Sequence, residues 1–104
     1  MEVFRGIPYG ELSRDKPFDA ATAYPKFEST FNASTAVVCP HINNSVPIGT
    51  IHCLTLDIFR PNETTCNDSL PVMVYVQGGA FKRQVDSKSY SPKFLVQNGV
   101  IVVS

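Results

Sequence analysis

The run Leu70-Pro71-Val72-Met73-Val74-Tyr75-Val76-Gln77-Gly78-Gly79-Ala80-Phe81 constrains the fold more than any other stretch, because it stays apolar for five residues and then stops on two glycines. Val72 to Val76 show no polar alternation, which suits a strand buried on both faces of a parallel sheet. Gln77-Gly78-Gly79 ends it. Glycines directly after such a strand let the backbone take a positive φ and approach a ligand closely, so the turn can present its own N–H groups to an anion or oxyanion. On the glycine pair alone, an ordinary strand-to-loop turn is the favoured reading.

A second all-apolar segment, Val100-Ile101-Val102-Val103, follows a segment with the marks of a short helix. In Ser91-Pro92-Lys93-Phe94-Leu95-Val96-Gln97-Asn98-Gly99, Ser91 suits the N-cap, Pro92 the first helical position and Gly99 the C′ position. Lys82 to Tyr90 reads as polar loop. Strand, crossover with helix and strand together make a parallel βαβ unit. Two apolar strands need cover on both faces, and one short helix does not supply it. The cover is expected to come from elsewhere.

The earlier half of the chain leads up to this unit. Glu2 to Gly10 reads as a short strand broken by Gly6 and turned by Pro8, and Glu11 to Pro17 as an irregular connection. Phe18, Tyr24, Phe27 and Phe31 recur without a regular period and read as aromatic anchors of a loop-rich surface layer. Leu54-Thr55-Leu56-Asp57-Ile58-Phe59 alternates over its first five residues, as a half-buried antiparallel strand does, and ends at Arg60-Pro61. Cys39 and Cys53 enclose a compact polar loop of the Ω type containing Pro40, Asn43, Asn44, Pro47 and Gly49. Three cysteines allow three single pairings, of which Cys39 with Cys53 is preferred because the two flank that loop. Such a closure is worth roughly 3 kcal/mol in the chain-entropy account. Cys66 is then a free thiol or pairs with a segment outside these residues.

With 104 residues, 43% of them hydrophobic, the chain holds at most one domain and is not disordered by composition. Nine basic and nine acidic residues cancel, so nothing argues for nucleic acid or an anionic membrane surface as partner. No apolar run approaches the roughly 18 residues that span a bilayer, and Met1 to Gly6 lacks the pattern of a signal peptide. Sequons at Asn32, Asn43, Asn62 and Asn67, together with the cysteines, favour an oxidising, secretory setting, so a truncated start is expected.

Four collinear blocks resemble the type-B carboxylesterases and cholinesterases of the α/β-hydrolase fold. Phe4-Arg5-Gly6-Ile7-Pro8-Tyr9 is similar to the family's F-x-G-I-P-Y, and Cys53-Leu54-Thr55-Leu56-Asp57-Ile58-Phe59-Arg60-Pro61 to its C-L-x-L-N-I-Y-x-P. Leu70 to Phe81 is similar to L-P-V-M-V-W-I-H-G-G-G-F, and Gly99 to Ser104 to the strand that follows. The resemblance covers nearly the whole chain. It implies an α/β fold in which residues 1–104 are a single partial domain, the N-terminal portion of the sheet, with antiparallel strands leading into a parallel βαβ unit. It also implies that Cys39 and Cys53 form the family's first disulfide, around the Ω-type loop 39–53.

In that family a serine in a G-x-S-x-G elbow attacks a carboxylic ester, with a histidine base and an acidic partner, while backbone N–H groups hold the oxyanion. By position the resemblance makes Gly79 and Ala80 the donors, with Gly78 shaping the loop. No cofactor or metal is implied. The elbow is absent from this sequence, and His41 and His52 precede the cradle whereas the family's histidine follows it, so both read as loop residues. Donors without a nucleophile should give no acyl-enzyme chemistry, and the chain is expected to be inactive and to fold poorly by itself. The alternative is a fragment of a non-catalytic cholinesterase-like adhesion or binding domain. It is favoured by Gln77 where the family has His and by the loss of a charge pair, since Arg14-Asp15 and Ile51-His52 stand where the paired residues are expected. Ala80 replaces the third glycine and keeps its N–H, and the tryptophan expected near Phe27 is gone.

Overall fold

A computed structural model describes residues 1–80, 82 and 91–104. Its main sheet has four strands in the order β1-β6-β8-β7, formed by β1 (Glu2–Pro8), β6 (Thr55–Arg60), β8 (Ile101–Val103) and β7 (Val72–Val74). β6 pairs antiparallel with β1 on one side and with β8 on the other, and β8 pairs parallel with β7. The sheet is therefore mixed, with one parallel pair at its edge. Helix α1 (Lys93–Gln97) is a single short turn-and-a-half between β7 and β8. Helix contributes little to the fold. The polar connection expected from Lys82 to Tyr90 lies, Lys82 apart, outside the described residues.

β6 is central because its sequence suits that place, with polar Thr55 and Asp57 alternating with Leu56 and Ile58 before Phe59 turns inward. Phe59, Val96 and Val102 form the buried core at 7%, 2% and 4% exposure, and Val3 and Val100 pack against it. That core is thin. The radius of gyration is 15.3 Å, larger than the about 13 Å of a compact domain this long.

Three expectations from the sequence are corrected here. Gly6 does not break β1: with φ 67 it sits at a register shift between Phe4 and Ile7, and the strand continues beyond it. The bulge is held because the Gly6 N–H donates to Asp57 Oδ1 at 2.9 Å across the pair. Val72 to Val76 are not buried on both faces. β7 is an edge strand with Val72, Val74 and Val76 at 61%, 68% and 86% exposure, since α1 turns Val96 onto the core and leaves β7 uncovered. Phe18 is no anchor, being fully exposed, whereas Tyr24, Phe27 and Phe31 stack in series with ring centroids 5.5 and 4.9 Å apart.

The helix starts one residue later than its sequence reading, and its C-terminal end agrees with that reading. Pro92 takes the N-cap position, Ser91 Oγ accepts the Lys93 N–H at 3.4 Å, and Gly99 follows the helix with φ 79. The loop 39–53 contains regular structure, a hairpin of β4 (His41–Asn43) and β5 (Val46–Ile48). Asn44 and Ser45, with φ 46 and 66, form the two-residue turn whose twist suits such a hairpin. A smaller pair, β2 (Gly10–Glu11) with β3 (Thr22–Ala23), continues the chain beyond β1.

Gly6 is a position where the fold tolerates substitution poorly. A Cβ there would stand 2.3 Å from the Thr35 carbonyl oxygen on a backbone that already has positive φ. Gly6→Ala should lower stability by more than about 2 kcal/mol in urea unfolding, whereas a change within about 0.5 kcal/mol would show that the bulge can re-form.

Candidate active site

The last ladder bond of β7 runs from the Tyr75 N–H to the Val103 carbonyl at 2.7 Å, and beyond it the chain leaves the sheet towards the glycines. Gln77 is half-buried, Gly78 exposed, Gly79 half-buried and Ala80 exposed. The Lys82 N–H donates to the Gly79 carbonyl at 3.0 Å and closes a turn around Ala80. Ala80, with φ 52, is the left-handed residue of this turn, whereas the glycines with positive φ among the described residues are Gly6, Gly49 and Gly99. The sequence reading gave that freedom to the glycine pair; the turn places it one residue later. Among the described residues, the N–H groups of Gly79 and Ala80 donate to no backbone acceptor. Two adjacent amides in that condition can serve an anionic oxygen.

A concavity of about 1010 Å³ lies between the end of β7, as far as Gln77, and the disulfide loop. Val76 and Gln77 line one side, Ile42 and Ile48 of the hairpin the other, and Leu56 and Asp57 of β6 the floor. The walls come from segments far apart in sequence. The loop wall is tied by the Cys39–Cys53 disulfide, with Cα atoms 5.1 Å apart, and by the Thr50 N–H donating to the Val38 carbonyl at 2.9 Å. Gly49, with φ 97, lies so close to Cys39 that a Cβ would stand 2.4 Å from its carbonyl oxygen. Cys66 is a free, exposed thiol.

Among the described residues neither histidine stands as a base beside a nucleophile. His41 Nδ1 donates to the Cys39 carbonyl at 2.9 Å, so its ring is held against its own loop, and His52 is exposed. Among the described residues the ion pairs are Lys16 with Asp19 and Arg60 with Glu2, and neither touches the loop 39–53. The Asp68 carboxyl is held below its usual range, because the Thr65 backbone N–H and hydroxyl both donate to it. The contact persists at neutral pH and is lost as pH falls through that lowered range. All four sequon asparagines, Asn32, Asn43, Asn62 and Asn67, are exposed. Among the described residues no cluster of three or more His, Cys, Asp or Glu is placed to hold a metal, and no helix is long and apolar enough to cross a membrane.

Asp57 is the residue whose role the sequence did not reveal. Its carboxylate holds the β1 bulge, while its N–H and C=O exchange bonds with Ser104 at 2.8 and 3.0 Å. The available signal was a carboxylate in the middle of a central strand whose other charged residue, Arg60, stands at its end, a position that asks for a partner.

The mixed sheet with its parallel pair is compatible with a fragment of an α/β-hydrolase. The model of the carboxylesterase family matches residues 1–104, and the chain belongs to that family. It is 34% identical to a cAMP-regulated D2 protein of Dictyostelium discoideum, over 98% of this chain and 21% of that protein. An inactive carboxylesterase-like protein, VdtD of Byssochlamys spectabilis, is likewise 34% identical, over 97% of this chain and 19% of its own length. A secreted lipase of Arthroderma benhamiae is 34% identical over 78% of this chain and 16% of its length. The chain thus spans about a fifth of the length of the curated relatives it matches.

The left-handed alanine gives a direct check on the turn. Ala80→Gly removes a Cβ from φ 52 and should leave stability unchanged or raise it by up to about 1 kcal/mol, once the greater freedom of glycine in the unfolded chain is set against the strain. A clear loss on thermal unfolding would mean that Ala80 is not left-handed in solution.

Proposed function

We propose that this chain is the N-terminal portion of the sheet of a carboxylic-ester hydrolase, a single partial domain that carries the oxyanion cradle. Gly79 and Ala80 are the donors to the developing oxyanion, and Gly78 gives the loop its shape. The observation that carries this reading is the pair of adjacent amides that donate to no backbone acceptor among the described residues, at the end of a strand held by β8, in a chain of the carboxylesterase family. Preorganised amides of this kind act where charge develops in the transition state, and one donor is worth about 10²–10³ in rate. The substrate class is a small carboxylic ester, and no cofactor takes part. The nucleophile, acid and base belong to sequence beyond these residues, so the 104-residue chain is inactive by itself.

A second reading is a non-catalytic, cholinesterase-like binding domain. It is supported by Gln77, which cannot titrate where the family has His, and by the likeness to an inactive carboxylesterase-like relative. Either protein is a secreted glycoprotein in this proposal. The disulfide, the four exposed sequon asparagines and the secreted relative support that setting.

The two readings part on turnover. A longer chain carrying this segment and a G-x-S-x-G elbow should release a burst of product from a chromogenic ester, abolished by a serine-directed organophosphate. Gly79→Pro, which deletes one donor, should then lower kcat about 10²–10³-fold with the far-UV circular dichroism retained. A folded longer chain without turnover supports the binding-domain reading, and a burst from the 104-residue chain itself contradicts the assignment of the nucleophile to another segment.

A further inference from the structure

We propose that Asn98-Gly99 is a self-modification site, held closed while the end of α1 is formed and released when that end opens. The proposal goes beyond the esterase reading and does not rest on it. Of the six asparagines, Asn98 alone is followed by glycine. A glycine nitrogen is the least hindered one to attack a preceding side-chain amide, because no Cβ crowds its approach. The pair has a structural reason to stand here. Asn98 is the C-cap of α1, and Gly99 takes the left-handed φ of 79 that ends the helix. The residue that suits the helix end is thus also the one that opens the asparagine to cyclisation.

Both reacting groups are engaged in the folded chain. Asn98 Nδ2 donates to the Phe94 carbonyl at 2.7 Å, which draws the side-chain amide back over the preceding turn. The Gly99 N–H donates to the Val96 carbonyl at 3.1 Å, and the Asn98 N–H to the Leu95 carbonyl at 3.0 Å. All these partners lie between Phe94 and Gly99, so the restraint is local to the helix end. Once it opens, the Gly99 nitrogen gives its proton to water or hydroxide and attacks Asn98 Cγ. The new C–N bond closes a succinimide ring, the Cγ–Nδ2 bond breaks, and Nδ2 takes up a proton and leaves as ammonia. Water then opens the ring at either carbonyl and leaves aspartate or isoaspartate at position 98. Neither product restores the restraint, since the Nδ2 donor is gone and a carboxylate stands against the C-terminal carbonyls of α1. Isoaspartate also lengthens the main chain just before the Val100 and Ile101 N–H groups, which donate to Leu95 and Pro71 at 3.1 and 2.9 Å. An opening of the helix end is thereby recorded covalently.

The test is incubation of the 104-residue chain at mildly alkaline pH, in buffer and in urea, with conversion of each asparagine read by peptide mass and isoaspartate by enzymatic methylation. In urea Asn98 should convert faster than the other five asparagines. In buffer its conversion should be at least about tenfold slower than in urea, because the reaction then waits on local opening. Gly99→Ala, compared in urea so that folding has no bearing, should slow the Asn98 conversion at least about tenfold, since the added Cβ crowds the attacking nitrogen. Equal conversion of Asn98 in buffer and in urea, a rate in urea no faster than that of the other asparagines, or one that Gly99→Ala leaves unchanged, overturns the proposal.

Discussion

The structure depends on β8 being paired on both sides. Towards β6 it is antiparallel, secured at its end by the reciprocal bonds between Asp57 and Ser104. Towards β7 it is parallel, secured by Pro71 with Ile101 and by Tyr75 with Val103. One short strand thus joins the N-terminal antiparallel half to the strand that carries the glycine turn. Val102, at its middle, is also a third of the buried core, so pairing and packing fail or hold together. Without β8 the turn at Gly78 to Ala80 would have no fixed position relative to the disulfide loop.

The same arrangement explains why the concavity exists. Its floor is β6, its near wall is the end of β7 and its far wall is the hairpin of the loop 39–53. The hairpin carries few buried side chains and is fixed by covalent and backbone means, the disulfide and the close passage of Gly49 beside Cys39. Packing elsewhere is thin, with three buried apolar residues in all among those described. That is the physical state expected of a sheet whose apolar strands outnumber the layers available to cover them.

Much of this was legible in the sequence. The half-buried β6 followed from its alternation, the parallel unit from two apolar runs around a short helical signal, and family membership from four collinear blocks that comparison with the family bears out. What escaped the sequence was set by tertiary context. Gly6 reads as a breaker until Asp57, more than fifty residues away in sequence, supplies the acceptor that turns the break into a bulge. The loop between the cysteines looks irregular because its strands are only three residues long and one of them holds Pro47, yet Asn44 and Ser45 can take the positive φ a tight hairpin needs. The burial expected of Val72 to Val76 rests on layers this chain does not place on them. The left-handed residue of the glycine turn could not be located from composition, since three successive small residues can each adopt that conformation at modest cost.

The most direct measurement is amide hydrogen exchange on the 104-residue chain, read residue by residue as denaturant is raised. Asp57 and Ser104 report the β6 side of β8, and Tyr75 and Ile101 the β7 side. If β8 unites the two halves, all four amides should show modest protection that is lost together with a common dependence on denaturant. Free exchange at Tyr75 and Ile101 while Asp57 and Ser104 remain protected would contradict the account, because the glycine turn would then hang from a strand that the sheet does not hold.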